Sequence, residues 1–256
     1  MDTHAKSAHQ HGSIIYVEGV TVSFDGFKAL NNLNFIMDYG ELRVVIGPNG
    51  AGKTTLLDVI TGKVQPDKGR VVFGDHTNLK GLSEDRITHL GIGRKFQTPA
   101  VFSNHTVFEN LMLSLPQAKG VFSALFASLS QKNRETIEAT LEIVGLLDKA
   151  QQKAGLLSHG EKQWLEIGMV IAQDPELLLL DEPVAGMTEQ ETETTVQLIH
   201  SLAGQHSILV IEHDMEFVQQ IARTVTVLHE GTVLCEGPME EVQKDHRVVE
   251  VYLGRG

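Results

Sequence analysis

The chain has 256 residues, with 41% hydrophobic and 21% charged, a size and balance that fit one large globular domain or two small ones. No run of 18 apolar residues occurs, which excludes a membrane-spanning helix within the sequence. A formal net charge of −12 argues against nucleic acid as a partner, and the single cysteine, Cys235, excludes an intrachain disulfide and suits a reducing cytosol.

Residues 1–13 lack the apolar stretch of a secretory signal and read as a mobile tail. His4, His9 and His11 in it are read as solvated rather than as a metal site. Residues 14–24 (IIYVEGVTVSF) predict a strand, closed by a turn at Asp25-Gly26, and 33–37 and 41–46 continue the strand signal. A glycine-rich loop spans Gly47 to Gly52, followed by a helix over 54–62 that Gly62 closes. A short strand is expected at 70–73. From Phe108 to Ala172 the pattern turns mainly helical, with helices at 133–144 and 160–172. Then come a buried strand at 176–180, a helix at 189–202, a strand at 207–211 and a helix at 214–222. Strands at 224–228 and 232–236 follow, and a last helix starts near Pro238. Strands alternating with helices predict a largely parallel sheet covered on both faces. The helical middle reads as an inserted subdomain. The expected fold is α/β: a P-loop NTPase core with an antiparallel β part and a helical insertion.

The loop Gly47-Pro48-Asn49-Gly50-Ala51-Gly52-Lys53-Thr54 fits G-x-x-x-x-G-K-[ST], with strand signal before it and helix signal after it. Its glycines allow backbone conformations in which successive N–H groups point at phosphate oxygens, and the helix that follows adds its positive dipole end. Lys53 brings a cation to the β- and γ-phosphates, Thr54 offers a hard oxygen to Mg²⁺, and Thr55 completes the binding stretch. The net charge does not oppose this reading. Distant carboxylates are screened beyond a Debye length of about 8 Å, whereas donors in direct contact are not. Asp181 and Glu182 end the apolar run Leu177–Leu180, and the carboxyl end of a parallel strand is where ligands sit. Asp181 is the candidate ligand of Mg²⁺ and Glu182 the candidate group to polarise an attacking water.

These motifs resemble the ATP-binding cassette ATPases over about residues 14–254. Leu157-Ser158-His159-Gly160-Glu161 resembles that family's LSGGQ signature, ahead of a helix and about twenty residues before Asp181. The resemblance implies one ATPase domain at 14–254. Its core would be 14–97 and 173–254, and its helical signature subdomain 98–172. It implies ATP and Mg²⁺ as ligands and a second cassette, identical or related, whose ATP is covered by Ser158, His159 and Gly160 of this chain. It further implies that Gln97 senses Mg²⁺ and the attacking water, that His213 contacts the γ-phosphate, and that Phe24 stacks on adenine, a role the nearby Phe27 could share. Glu182, His213 and Gln97 are thus the expected catalytic group.

Two departures stand out. His159 and Glu161 replace the usual glycine and glutamine, and Pro183-Val184-Ala185-Gly186-Met187 departs from the common SALD stretch. A carboxylate facing a phosphate would repel it, so Glu161 is expected to point away or to pair with a cation.

GIGRKFQTPAVF, DEPVAGMT and EVYLG resemble uptake cassettes of the branched-chain amino-acid and urea group, and LSHGEKQWLEIGM points to the urea branch. The expected function is the ATP-hydrolysing subunit of a urea importer at the cytoplasmic face of the inner membrane. It would work with permease subunits and, indirectly, a solute-binding protein. The alternatives are a branched-chain amino-acid importer and a soluble cassette ATPase of a non-transport assembly.

Overall fold

Alternation of apolar and polar residues makes the first two strands. β1 (Ser13–Phe24) buries Ile15, Val17, Val20 and Val22, and β2 (Phe27–Asp38) buries Leu30, Leu33, Phe35 and Met37. Asp25 and Gly26, with φ of 49° and 87°, turn one strand into the other, the geometry a two-residue hairpin needs. The turn falls where the sequence places it, but β2 begins well ahead of residue 33. Its first half, FKALNN, lacks a regular apolar–polar alternation and sits at a sheet edge, so its strand state comes from pairing with β1 rather than from its own pattern. The computed structural model describes residues 12–96, 100–116 and 130–253. The histidines of the tail and Gln97 lie outside them.

β3 (Leu42–Ile46) is buried throughout and leads into the glycine loop and α1 (Lys53–Ile60). β4 (Lys68–Phe73) and the two-residue β5 (Thr77–Asn78) complete an antiparallel sheet in the order β2-β1-β4-β5. α2 (Glu84–His89), capped by Ser83, precedes β6 (Ile92–Lys95). Neither was legible in the sequence. β6 is four residues long, contains a glycine and two cations, and is held as a strand by parallel pairing with the next strand of the sheet.

The helical stretch follows: α3 (Val107–Ser114), α4 (Gln131–Ile143) and α5 (His159–Ile171), with single 3₁₀ turns at Leu147–Lys149 and Ala154–Leu156. Capping boxes start α3 at Thr106 with Glu109 and α5 at Ser158 with Glu161. β7 (Leu177–Asp181) is wholly buried. α6 (Glu189–Leu202) starts from a third box, Thr188 with Glu191. Then come β8 (Ser207–Ile211), α7 (Met215–Ile221), β9 (Thr224–His229), β10 (Thr232–Gly237), α8 (Met239–Val242) and α9 (His246–Leu253).

The larger sheet runs β10-β9-β3-β8-β7-β6, parallel except for β10. Its two faces feed two apolar clusters. Val44, Leu178, Leu180 and Val210 pack against the helices, while Val45, Leu177, Leu179 and Leu209 pack toward α1 and the antiparallel sheet. Successive residues of one strand point to opposite faces, so a strand buried on both reads as unbroken leucine. The order β3-β8-β7 brings the segments after those three strands to one end of the sheet.

Candidate functional site

That end carries the chemistry. The loop after β3 holds Lys53, whose Nζ donates to the carbonyls of Gly47 (2.6 Å) and Pro48 (3.2 Å) inside the loop. Gly52 has φ 101°, and a Cβ there would lie 2.5 Å from the Ala29 carbonyl oxygen, so glycine is required for the loop to pass under the antiparallel sheet. Burial pulls the Lys53 pKa below the usual lysine value, against the opposing pull of Glu182, Asp181 and Glu212. Those three carboxylates and the ammonium therefore share one field.

Asp181 closes β7 and is buried. Arg94 Nη2 donates to its Oδ2 at 2.9 Å, and Nη1 of the same guanidinium donates to Asp58 of α1 at 2.6 Å. Arg94 thereby ties the helix after the glycine loop to the carboxylate that ends β7. Glu182 follows with φ 46°, a left-handed backbone that only a few per cent of non-glycine residues adopt. Its N–H donates to the Ile211 carbonyl (2.9 Å), which fixes β7's exit against β8's. His213, after β8, places Nδ1 3.4 Å from Glu182 Oε1 and 3.6 Å from Glu212 Oε2.

Glu212, Arg94, Lys95 and Glu166 were not singled out in the sequence. Glu212 is 1% exposed and accepts from the N–H groups of His213 (2.8 Å), Asp214 (3.2 Å) and Val184 (3.5 Å). It joins the His213 turn to the stretch after Glu182. The visible signal was a charge directly after the apolar run of residues 208–211. Lys95 is fully buried and donates to the Asp181 carbonyl at 3.4 Å, opposite Glu166 of α5. Burial raises the Glu166 pKa to about 7 despite Lys95. This pair had no sequence signal, because the two charges meet only through the packing of β6 on α5.

A cleft of about 440 Å³ opens beside the loop, lined by Pro48, Asn49, Gly50, Ala51, Phe27, Lys28, His229 and Glu230. The aromatic wall is Phe27. Phe24 is its cross-strand partner in the hairpin and is not among the residues lining this cleft. The Tyr252 hydroxyl of α9 meets the Gly47 backbone, and burial pushes its pKa up to about 12.

The signature turn sits at the start of α5, and it bonds both within its own helix and to the stretch after β7. Ser158 Oγ caps α5 by accepting from the Glu161 N–H (3.2 Å), and Glu161 Oε2 accepts from the Ser158 N–H (2.9 Å). The other Glu161 oxygen pairs with Lys149, the cation partner expected for it. Burial raises the Glu161 pKa, but Lys149 and the Ser158 N–H outweigh it and leave the carboxyl below its ordinary value. His159 Nε2 donates to the Ala185 carbonyl at 3.0 Å, because a carbonyl can only accept. The two departures from the family pattern, at 159 and 183–187, thus touch each other.

Lysine and backbone donors, a hydroxyl and a single carboxylate form a set that fits a nucleotide with Mg²⁺. That ion takes few protein carboxylates and shares phosphate oxygens.

A phosphate loop, a strand-end acid pair and a signature turn on this sheet define a P-loop ATPase of the cassette type. Residues 30–185 match the ABC transporter family, and the chain belongs to it. Residues 232–256 match a second family, the branched-chain amino acid ATP-binding cassette transporters. The chain is 36% identical over 250 residues to the high-affinity branched-chain amino acid transport ATP-binding protein LivG of Escherichia coli K12, covering 94% of this chain and 98% of LivG. To BraF of Pseudomonas aeruginosa, named for the same transport, it is 34% identical over 252 residues, covering 94% and 98%. Among solved structures, a nucleotide-free ATP-binding cassette from an ABC transporter superposes with a TM-score of 0.81 at 30% identity, covering 94% of this chain and 99% of that one. The ADP conformation of such a cassette gives 0.82 at 31%, covering 95% and 100%. The chain is an ATP-hydrolysing, ATP-binding subunit of an ABC transporter. The solute in the relatives' names is the branched-chain amino acid, the alternative raised by the sequence, and not urea.

Proposed function

We propose that this chain powers solute import and that its ATP is split between two cassettes. Lys53 and the N–H groups of residues 47–55 hold the phosphates, while Thr54 and Asp181 hold Mg²⁺. That ion, when bound, neutralises charge on the β- and γ-phosphates. Glu182 orients and polarises the attacking water, His213 supports the γ-phosphate, and Gln97 reports the state of the site to the permease. Phe27, braced by Phe24, stacks on adenine. Ser158, His159 and Gly160 of a facing cassette complete the site, and the helical stretch of 98–172, set against the core of 14–97 and 173–254, carries the movement. One observation supports this most: Lys53, Asp181, Glu182 and His213 converge at the carboxyl ends of three adjacent strands, with His213 Nδ1 3.4 Å from Glu182.

Glu182→Gln is the test. Nucleotide binding should stay intact while turnover falls about 10²–10⁴-fold, the range expected of a lost general base. Turnover equal to the parent would refute the role.

The solute reading that the relatives support is a branched-chain amino acid, delivered by a solute-binding protein to the permease, with this chain peripheral on the cytoplasmic face of the inner membrane and paired with a related cassette. Urea is the second reading, favoured by the histidine in LSHGEKQWLEIGM. Uptake of labelled leucine and of labelled urea by the reconstituted transporter separates the two.

A further inference from the structure

The donors of the signature turn already hold an anion from their own chain. Ser158 Oγ donates to Glu191 Oε1 at 2.9 Å. The Gly160 N–H also faces that carboxylate, which lies so close that a Cβ on Gly160 would sit 2.5 Å from Oε1. The second oxygen, Oε2, is anchored elsewhere. It accepts from the Thr188 N–H at 3.0 Å and the Thr188 hydroxyl at 3.1 Å, in the box that starts α6. The cap of one helix therefore aims a carboxylate at the N-terminus of another.

A hydroxyl, a backbone N–H and a helix N-terminus make an anion seat. The same two donors belong to the turn proposed above to cover the facing cassette's ATP, where such a seat suits the γ-phosphate. The serine hydroxyl has one proton to give. Two anions on one seat also repel at close range. The carboxylate and the phosphate are therefore competitors.

We propose that Glu191 is an in-cis stand-in for the partner's γ-phosphate: it occupies Ser158 and Gly160 in the unpaired subunit and must yield them before two cassettes close on ATP. ADP, which brings no γ-phosphate, would leave the seat with Glu191. Displacement breaks only the Ser158 and Gly160 contacts, since Thr188 keeps the other oxygen. The Thr188 N–H holds the Glu191 carboxyl below its ordinary pKa, against the raising effect of burial, which keeps the competitor ionised at neutral pH. The inference rests on the two-cassette reading.

The test uses the full chain carrying Glu182→Gln, alone and mixed with the second cassette of its transporter, with ATP-driven dimerisation followed by light scattering. Glu191→Gln removes the charge and preserves the box, in which glutamine also serves, and an unshifted melting curve verifies the fold. The ATP needed for half-maximal dimerisation should fall about tenfold, the scale of one charge-assisted hydrogen bond that no longer has to be surrendered. An unchanged or higher ATP requirement overturns the role of Glu191. Ser158→Phe, which fills the turn, should abolish the dimer. If it dimerises like the parent, or if the parent forms no dimer with either partner, the two-cassette reading fails and takes the inference with it.

Discussion

Lys53 shows how one side chain serves two states. Without phosphate it is satisfied by the carbonyls of Gly47 and Pro48, so the loop keeps its shape with its cation stored inside. Lys53→Ala removes both the internal brace and the phosphate contact. ATP affinity should drop at least about tenfold by titration calorimetry, since a hydrogen bond to a charged group is worth about 1.5–3 kcal/mol; unchanged affinity would remove Lys53 from the site. Glu166 makes a pH prediction. Burial raises its folded pKa to about 7 from 4.5, so the group favours folding below about pH 4.5 and loses that contribution as pH rises through about 7. Glu166→Gln lacks this proton uptake. Its melting temperature should gain on the parent's between pH 5 and pH 8, by about 2–4 °C for each kcal/mol. A gap that narrows or reverses would show that Lys95 keeps the carboxylate ionised in the fold.

Elements place these side chains with little tolerance. Gly52 links β3's loop to α1, and a side chain there meets the Ala29 carbonyl oxygen at 2.5 Å and Leu30 Cδ2 at 2.8 Å on a backbone at φ 101°. Gly52→Ala should lose nucleotide binding and cost more than about 1 kcal/mol in denaturant unfolding, because both the contact and the left-handed backbone penalise it. The start of α5 and the stretch after β7 are joined by His159 and the Ala185 carbonyl. His159→Ala frees the stretch that leads out of Glu182. It should lower turnover severalfold with little change in nucleotide affinity, and His159→Gln, which retains a donor, should recover part of the loss. Equal rates in all three would confine His159 to the turn itself.

For the molecule as a whole, charge and pairing matter together. The field of distant carboxylates behind the net charge of −12 is screened within about 8 Å at physiological salt, so it does not repel ATP from a loop of direct donors. Ser158 and Gly160 make their hydrogen bonds with Glu161 and Glu191, away from the loop of their own chain. In the proposed two-cassette site, a second cassette would supply what one copy lacks. Specific ATPase activity should therefore rise with cassette concentration and plateau when pairing is complete. A rate per chain independent of concentration would mean that one copy suffices.

The amino-acid order alone located the glycine loop of residues 47–52 and the helix after it, the two carboxylates at the end of β7, the helices of the middle stretch and most strands. Each of these depends on local spacing, on conformations that only glycine readily supplies, or on apolar runs that only a buried strand accounts for. It also placed Ser158 at a helix start, since capping is a short-range event. Tertiary structure decided the rest. β6 is a strand because β7 lies beside it, and Phe27 rather than Phe24 meets the cleft because of how the hairpin turns. Arg94 holds Asp181 across 87 positions and Glu191 reaches Ser158 across 33. No pattern in the sequence encodes contacts of that range, because a charge far along the chain becomes a neighbour only once the sheet order and the helix packing exist.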